Sequence, residues 1–228
     1  MQHELPQPQP IIVFDKVSKV YGSGNAKTYA LRNASFEIHP ASFTVVLGPS
    51  GSGKSTILNL MGLLDRPTHG EYYLDGRPVS AITHTSVRAR LRREKFGFVF
   101  QQFNLLPRET ALGNVMMPGI YSRLSNRKER ATYLLKQVGL GHRLHHRPSE
   151  LSGGEQQRVA IARSLINAPR IILADEPTGN LDSKTGHSIL ELLQSLNKDG
   201  QTIVVVTHDE SLTKLAHRVI HVKDGSTE

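Results

Sequence analysis

The chain reads as an α/β protein on three observations. Apolar runs of strand length alternate with segments of helical period along its 228 residues, the pattern of a mostly parallel sheet flanked by helices. One run, Phe43 to Leu47, feeds a glycine-rich loop and then a helical stretch. Another, Ile171 to Ala174, ends directly in two carboxylates, Asp175 and Glu176.

The elements follow in order. Residues 1–10, MQHELPQPQP, have neither a basic start nor an apolar h-region, so they are expected to be a flexible tail and not a signal peptide. Ile11 to Val17 and Tyr29 to Ile38 alternate apolar and polar residues, with residues 22–25 punctuating them, and together imply an antiparallel β flap. Phe43 to Leu47 is a continuous buried strand, and Lys54 to Leu64 is apolar on one helical face. Glu71 to Leu74 with the Asp75-Gly76 turn continues the flap, Ser86 to Glu94 is a charged helix, and Phe96 to Phe100 is the next strand. From Thr110 to about Arg147 the period is helical, with Leu134, Leu135, Val138 and Leu140 on one side, which defines an α-helical subdomain over about 103–165. Ser152 opens a helix over Gly153 to Asn167, Thr185 to Asn197 is amphipathic, Thr202 to Val206 is a core strand, and Val219 to Val222 with the Asp224-Gly225 turn closes the chain. Because Gly48-Pro-Ser-Gly-Ser-Gly-Lys54-Ser55 fits G-x-x-x-x-G-K-[ST] at every fixed position, the predicted class is a P-loop NTPase (RecA-like) core with antiparallel β and α-helical subdomains. One domain spans 11–228.

Composition narrows the function. The absence of cysteine excludes disulfides, thiolate metal sites and cysteine nucleophiles. Apolar runs such as Thr202 to Val206 fall far short of the ~20 residues that cross a bilayer, so the expected place is the cytosol or a cytosolic membrane face. The net charge of +8 concentrates at Arg88 to Lys95 and from Arg123 to Arg147. It reads as a solvated helical face, with a membrane surface next and no nucleic acid expected.

The chemistry lies in the motifs. Gly48, Gly51 and Gly53 let consecutive N–H groups face phosphates, and the helix starting near Lys54 adds its positive end. Lys54 should reach the β- and γ-phosphates of ATP, and Ser55 should bind Mg²⁺. Asp175 and Glu176 sit where side chains leave a parallel sheet toward ligand; Asp175 suits Mg²⁺, and Glu176 suits activation of the attacking water. His208, just past Thr202 to Val206, reads as a γ-phosphate contact. Gln101 could sense Mg²⁺ or the water through its amide, although its neighbour Gln102 competes for the role. His142, His145 and His146 share helical spacing but lack ligating carboxylates apart from Glu150, and read as surface residues. Leu151 to Arg158, LSGGEQQR, adds a second helix start whose bare Gly153 and Gly154 N–H groups favour an anion. One P-loop already surrounds one triphosphate, so this second cradle is expected to face the ATP of another copy.

On these residues the chain resembles the nucleotide-binding subunit of ABC transporters over nearly its whole length. The order P-loop, Gln101, LSGGEQQR and ILADEP matches that family throughout. The resemblance implies nucleotide contacts from Gly48, Pro49, Ser50, Gly51, Ser52, Gly53, Lys54, Ser55 and Thr56, and from Tyr21 stacked on adenine. It implies Gln101 as the Gln-loop residue, Ser152, Gly153, Gly154 and Gln156 as the signature, Asp175 on the metal, Glu176 as base, Asp182 in the D-loop and His208 as the switch. It further implies a head-to-tail homodimer with two ATP molecules sandwiched between the copies. The partners implied are a separate integral-membrane permease gripped by the helical insert, and an extracytoplasmic adaptor. The protein would then lie peripherally on the cytoplasmic face of the inner membrane. Phe98 to Val115, His146 to Leu151 and Ala174 to Asp182 look like the lipoprotein-releasing and macrolide-exporting subgroup, which works by mechanotransmission. The chain departs from the family at His217, where relatives carry Asp, removing the carboxylate for a local salt bridge. The ending at Glu228, soon after Asp224-Gly225, is expected to leave no regulatory domain.

Other ATPases share both motifs. DNA-repair and chromosome-organising members insert a long coiled coil between them, whereas 98 positions separate Lys54 from Ser152 here. Translation factors carry two cassettes in one chain, and a regulatory binder should lack Glu176.

Overall fold

The computed structural model describes residues 9–23, 26–122 and 124–228. Most of the expected tail, half of the turn at 22–25 and Arg123 of the basic stretch lie outside these residues.

Two sheets carry the fold. β1 (Ile12–Tyr21), β2 (Thr28–Ile38), β4 (His69–Leu74) and β5 (Arg77–Pro78) form an antiparallel sheet in the order β2-β1-β4-β5. The second sheet holds β3 (Phe43–Leu47), β6 (Phe96–Val99), β7 (Ile171–Asp175), β8 (Thr202–Thr207), β9 (Arg218–Lys223) and β10 (Ser226–Thr227). Its order is β10-β9-β3-β8-β7-β6, and every pairing except β10 with β9 is parallel. The helices are α1 (Lys54–Met61), α2 (Thr85–Lys95), α3 (Ala111–Tyr121), α4 (Arg127–Gln137), α5 (Gly153–Ser164) and α6 (Ser183–Lys198).

The central strands β3, β7 and β8 are buried along nearly their whole length and mostly apolar rather than alternating, whereas β9, nearer the edge, alternates exposed and buried residues. Side chains still alternate between faces. Val45 and Leu47 of β3 join Val205 of β8 in a core with Val115, Leu135 and Ile161 of α3, α4 and α5. Val46 joins Val204 and Val206 in the opposite core with Phe14, Ile57 and Tyr72.

Four expectations need correction. The helix expected to reach Leu64 ends at Met61, because Gly62 caps it and Leu63 turns the chain at φ 57°. The helical period over 110–147 resolves into α3 and α4 followed by turns, so His142, His145 and His146 are not on a helix at all. Arg143 reaches His146 Nε2 at 3.0 Å, and no group of three metal-ligating side chains occurs among the described residues. The basic stretch is only partly a solvated face. Arg88 is buried and donates to the Leu63 and Asp65 carbonyls, and Arg92 donates to Leu63 as well. Arg130 likewise donates to the Ile166 carbonyl after α5, and Arg158 to the Val138 carbonyl that ends α4. These four arginines thus satisfy main-chain carbonyls at or just beyond helix C-termini, where a cation is also favoured by the dipole. At the start of β3, the His217 Nδ1 accepts the Phe43 N–H at 2.9 Å while the His217 N–H donates to the Phe43 carbonyl at 2.8 Å. The imidazole supplies an acceptor there without a carboxylate.

Candidate functional site

A cleft of about 760 Å³ opens along the carboxyl edge of the parallel sheet. It is lined by Pro49, Ser50, Gly51, Gly53, Lys54, Ser55 and Thr56 between β3 and α1, by Gln101 after β6, by Asp175 and Glu176 at the end of β7, and by His208 after β8. Residues distant in sequence meet because parallel strands all deliver their following loops to one edge. Of the two neighbouring glutamines, Gln101 lines the cleft and Gln102 does not.

Gly53 sets the loop's shape. It caps α1 with φ 108°, and a Cβ there would lie 2.5 Å from the Ala30 carbonyl oxygen, so both the backbone angle and the close approach demand glycine. No side chain caps α1 and no acid occupies its first turn, so its leading N–H groups stay open to an anion. Lys54 is 8% exposed, and its Nζ donates to the Gly48 and Pro49 carbonyls at 2.9 and 2.8 Å. The Ser52 hydroxyl is buried and has no partner among the described residues.

The acidic side is as specific. Burial chiefly, and then the adjacent Glu176 charge, raises the Asp175 carboxyl above its ordinary value, and Lys54 opposes the rise. Glu176 holds φ 44°, an uncommon conformation for a non-glycine residue and one found where a site fixes its backbone. Its N–H donates to the Val206 carbonyl at 2.9 Å. Both carboxylate oxygens are engaged: Oε1 lies 2.7 Å from His208 Nδ1, and Oε2 accepts the Thr207 hydroxyl at 3.0 Å. The carboxylate is therefore aimed by two neighbours on β8 and its following loop. The hydroxyl of Ser55, the amide of Gln101 and the partly buried Asp175 line the same cleft and are hard oxygen donors with a single carboxylate, a donor set that fits Mg²⁺.

Several residues expected to contact nucleotide are not part of the cleft wall of the single chain. Tyr21 does not line the cleft; its hydroxyl donates to Asp65 Oδ2 at 2.8 Å, and Lys19 Nζ sits 4.8 Å from its ring centre. Tyr29 does line the cleft, with the Arg32 guanidinium 4.6 Å from its ring centre. Gly48 and Ser52 belong to the loop but not to the cleft wall.

Ser152, Gly153, Gly154, Gln156 and Asp182 also lie outside it. Ser152 caps α5 in a reciprocal box: its hydroxyl accepts the Glu155 N–H at 3.3 Å, and the Glu155 carboxylate accepts the Ser152 N–H at 2.8 Å. That Ser152 backbone bond chiefly holds the Glu155 carboxyl below its ordinary value; burial opposes the shift, and the Ser152 hydroxyl and Arg143 reinforce it. The two glycines are not simply bare. Gly154 is buried, and a Cβ on it would lie 2.3 Å from the Thr185 methyl of α6. Gln156 Nε2 donates to the Leu151 carbonyl, and Asp182 caps α6 by accepting the Thr185 N–H at 3.0 Å.

Some contacts had no signal in the sequence. The buried Gln157 donates to the Pro177 carbonyl at 2.7 Å, tying α5 to the segment after Glu176. Arg163 donates to the Phe103 and Asn104 carbonyls, and Asn180 bonds Gln101.

Comparison with known proteins agrees with this geometry. The sequence profile of the ABC transporter family matches residues 31–179. An uncharacterized ABC transporter ATP-binding protein of Thermotoga maritima is 52% identical over 214 residues, covering 93% of this chain and 91% of its own. The macrolide export ATP-binding/permease protein MacB of Wolinella succinogenes is 48% identical over 219 residues, and this chain spans only 34% of its length. Among solved structures, the ATP-binding cassette MJ0796, described as a dimer in a post-hydrolysis state bound to ADP and Pi, superposes with a TM-score of 0.86 at 47% identity, covering 95% of this chain and 96% of that one. The P-loop cleft, the carboxylates at its edge and these likenesses converge: the chain belongs to the ABC transporter family, as an ATP-binding subunit with ATPase activity.

Proposed function

We propose that two copies of this chain close head to tail on two ATP molecules, and that closure and hydrolysis power a separate membrane permease in an export or lipoprotein-release system. One observation carries the pairing. A single chain gathers the P-loop, both carboxylates, Gln101 and His208 in one cleft but leaves Ser152 to Gln156 and Asp182 outside it. Those residues complete a site only if they belong to a second copy. The dimeric MJ0796 cassette and the export role in the MacB name support the same reading.

In this scheme Lys54 exchanges the Gly48 and Pro49 carbonyls for phosphate oxygens, and Tyr21 or Tyr29 flanks the base. Ser55, Asp175 and Gln101 would hold Mg²⁺, which when bound would supply charge neutralisation to the phosphates. Glu176 takes a proton from the attacking water, with His208 and Thr207 fixing its direction. The permease would be received by a second cleft, about 560 Å³, floored by Phe96, Phe98 and Phe100 and rimmed by Arg92, Arg93 and Arg163. No helix among the described residues is long and apolar enough to cross a membrane, so attachment would be peripheral, on the cytoplasmic face of the inner membrane. An extracytoplasmic adaptor would act through the permease.

The test is Glu176→Gln. ATP binding should persist and a dimer should accumulate in gel filtration with ATP and Mg²⁺, while hydrolysis falls by about 10²- to 10⁴-fold. Undiminished turnover would sink the role given to Glu176, and a monomer at saturating ATP would sink the pairing.

A further inference from the structure

We infer that Asn180 is a positioning residue that orients the Gln101 amide and ties the loop after β6 to the turn after β7. The two residues are bound twice: the Asn180 Nδ2 donates to the Gln101 main-chain carbonyl at 2.9 Å, and the Gln101 Nε2 donates to the Asn180 Oδ1 at 3.3 Å. The order of these bonds matters. A main-chain carbonyl can only accept, so it fixes which end of the Asn180 amide is the donor. That leaves Oδ1 toward Gln101, which fixes Gln101 in turn to present Nε2 to Asn180. The remaining atom of the Gln101 amide is its oxygen, the end that can face a cation or a water proton in the cleft Gln101 lines.

The backbone makes room for this pair. A Cβ on Gly179 would lie 2.8 Å from Gln101 Nε2, so a side chain there would push the amide away. The same turn continues into Leu181, whose Cδ2 would lie 3.2 Å from a Cβ on Gly153 at the start of α5. Arg163, from the far end of α5, holds the next part of the Gln101 loop through the Phe103 and Asn104 carbonyls. The loop is thus clipped at both ends, once to the turn before Asp182 and once to α5. The inference rests on the reading of Gln101 as a residue of the nucleotide cleft.

Asn180 is exposed, so its replacement leaves the core intact. In Asn180→Ala, amide hydrogen exchange across 101–104 of the nucleotide-free protein should quicken. The Mg²⁺ concentration giving half-maximal ATPase activity should rise about 3- to 10-fold, the size of one or two lost hydrogen bonds, with ATP binding in EDTA unchanged. Adding Gln101→Ala should raise it little further, because both changes remove one interaction. Unchanged exchange across 101–104, or fully additive effects of the two substitutions, would overturn the positioning role. The exchange measurement needs no turnover, so it decides about Asn180 even if the hydrolytic scheme fails.

Discussion

α1 and α5 both start at glycines next to residues expected to meet phosphate, yet they treat their leading N–H groups in opposite ways. α1 has no capping side chain and no acid in its first turn, and the nearest cation, Lys54, rests on carbonyls of its own loop. α5 closes on itself through the Ser152 and Glu155 box, with Arg143 bound to Glu155 at 3.0 Å. An uncapped helix start is incomplete without an anion, whereas a capped one is stable alone. The difference teaches that the start of α1 is left open for a ligand, while the start of α5 is complete within the chain itself.

Three measurements break or sharpen this contrast. The largest effect should come from Lys54→Ala, which should weaken ATP binding by about 10- to 150-fold, corresponding to ~1.5–3 kcal/mol for a hydrogen bond to a charged group. Calorimetric titration checks it, and a loss below twofold would mean that α1 alone supplies the site. Next is Gly154→Ala. Alanine is the better helix former by ~1 kcal/mol, so an open glycine would be stabilised by the change. Contact with the Thr185 methyl should reverse that sign, because overpacking costs about 1–3 kcal/mol, and Thr185→Ser should restore stability in the double variant. Urea unfolding of the three proteins measures it; a stabilised single variant would return Gly154 to the open class of α1.

The smallest effect concerns pH. The Glu155 carboxyl lies below its ordinary value of 4.5, so its contribution to stability is present above that value and is lost as pH falls through the depressed one. Wild type and Glu155→Gln should therefore differ most near neutral pH and converge in acid, read from unfolding midpoints between pH 7 and 3. A gap that stayed constant with pH would detach the Glu155 charge from the cap.

What was legible in the sequence divides along physical lines. The P-loop, Asp175, Glu176 and His208 were readable because each motif follows an apolar strand, and parallel topology sends all of those strand ends to one edge. Gln101 could not be told from Gln102, since the choice depends on which side chain turns toward the cleft. Gly153 and Gly154 read as open N–H donors, because the Thr185 methyl that requires Gly154 to be small lies 31 residues away on another helix. The basic stretch read as a solvent face since sequence shows where charge is and not which carbonyl it meets. Arg88, Arg92 and Arg130 spend theirs on carbonyls just beyond helix ends. Asn180 was silent for the same reason: its partner is 79 residues distant.

The alternation along β3 and β8, with Val45 and Val205 facing one core and Val46 and Val204 the other, makes the parallel sheet a party wall. Each strand is written for two tenants at once, one on odd positions and one on even. Repacking beneath the β flap can then proceed without renegotiating the side that holds α3, α4 and α5.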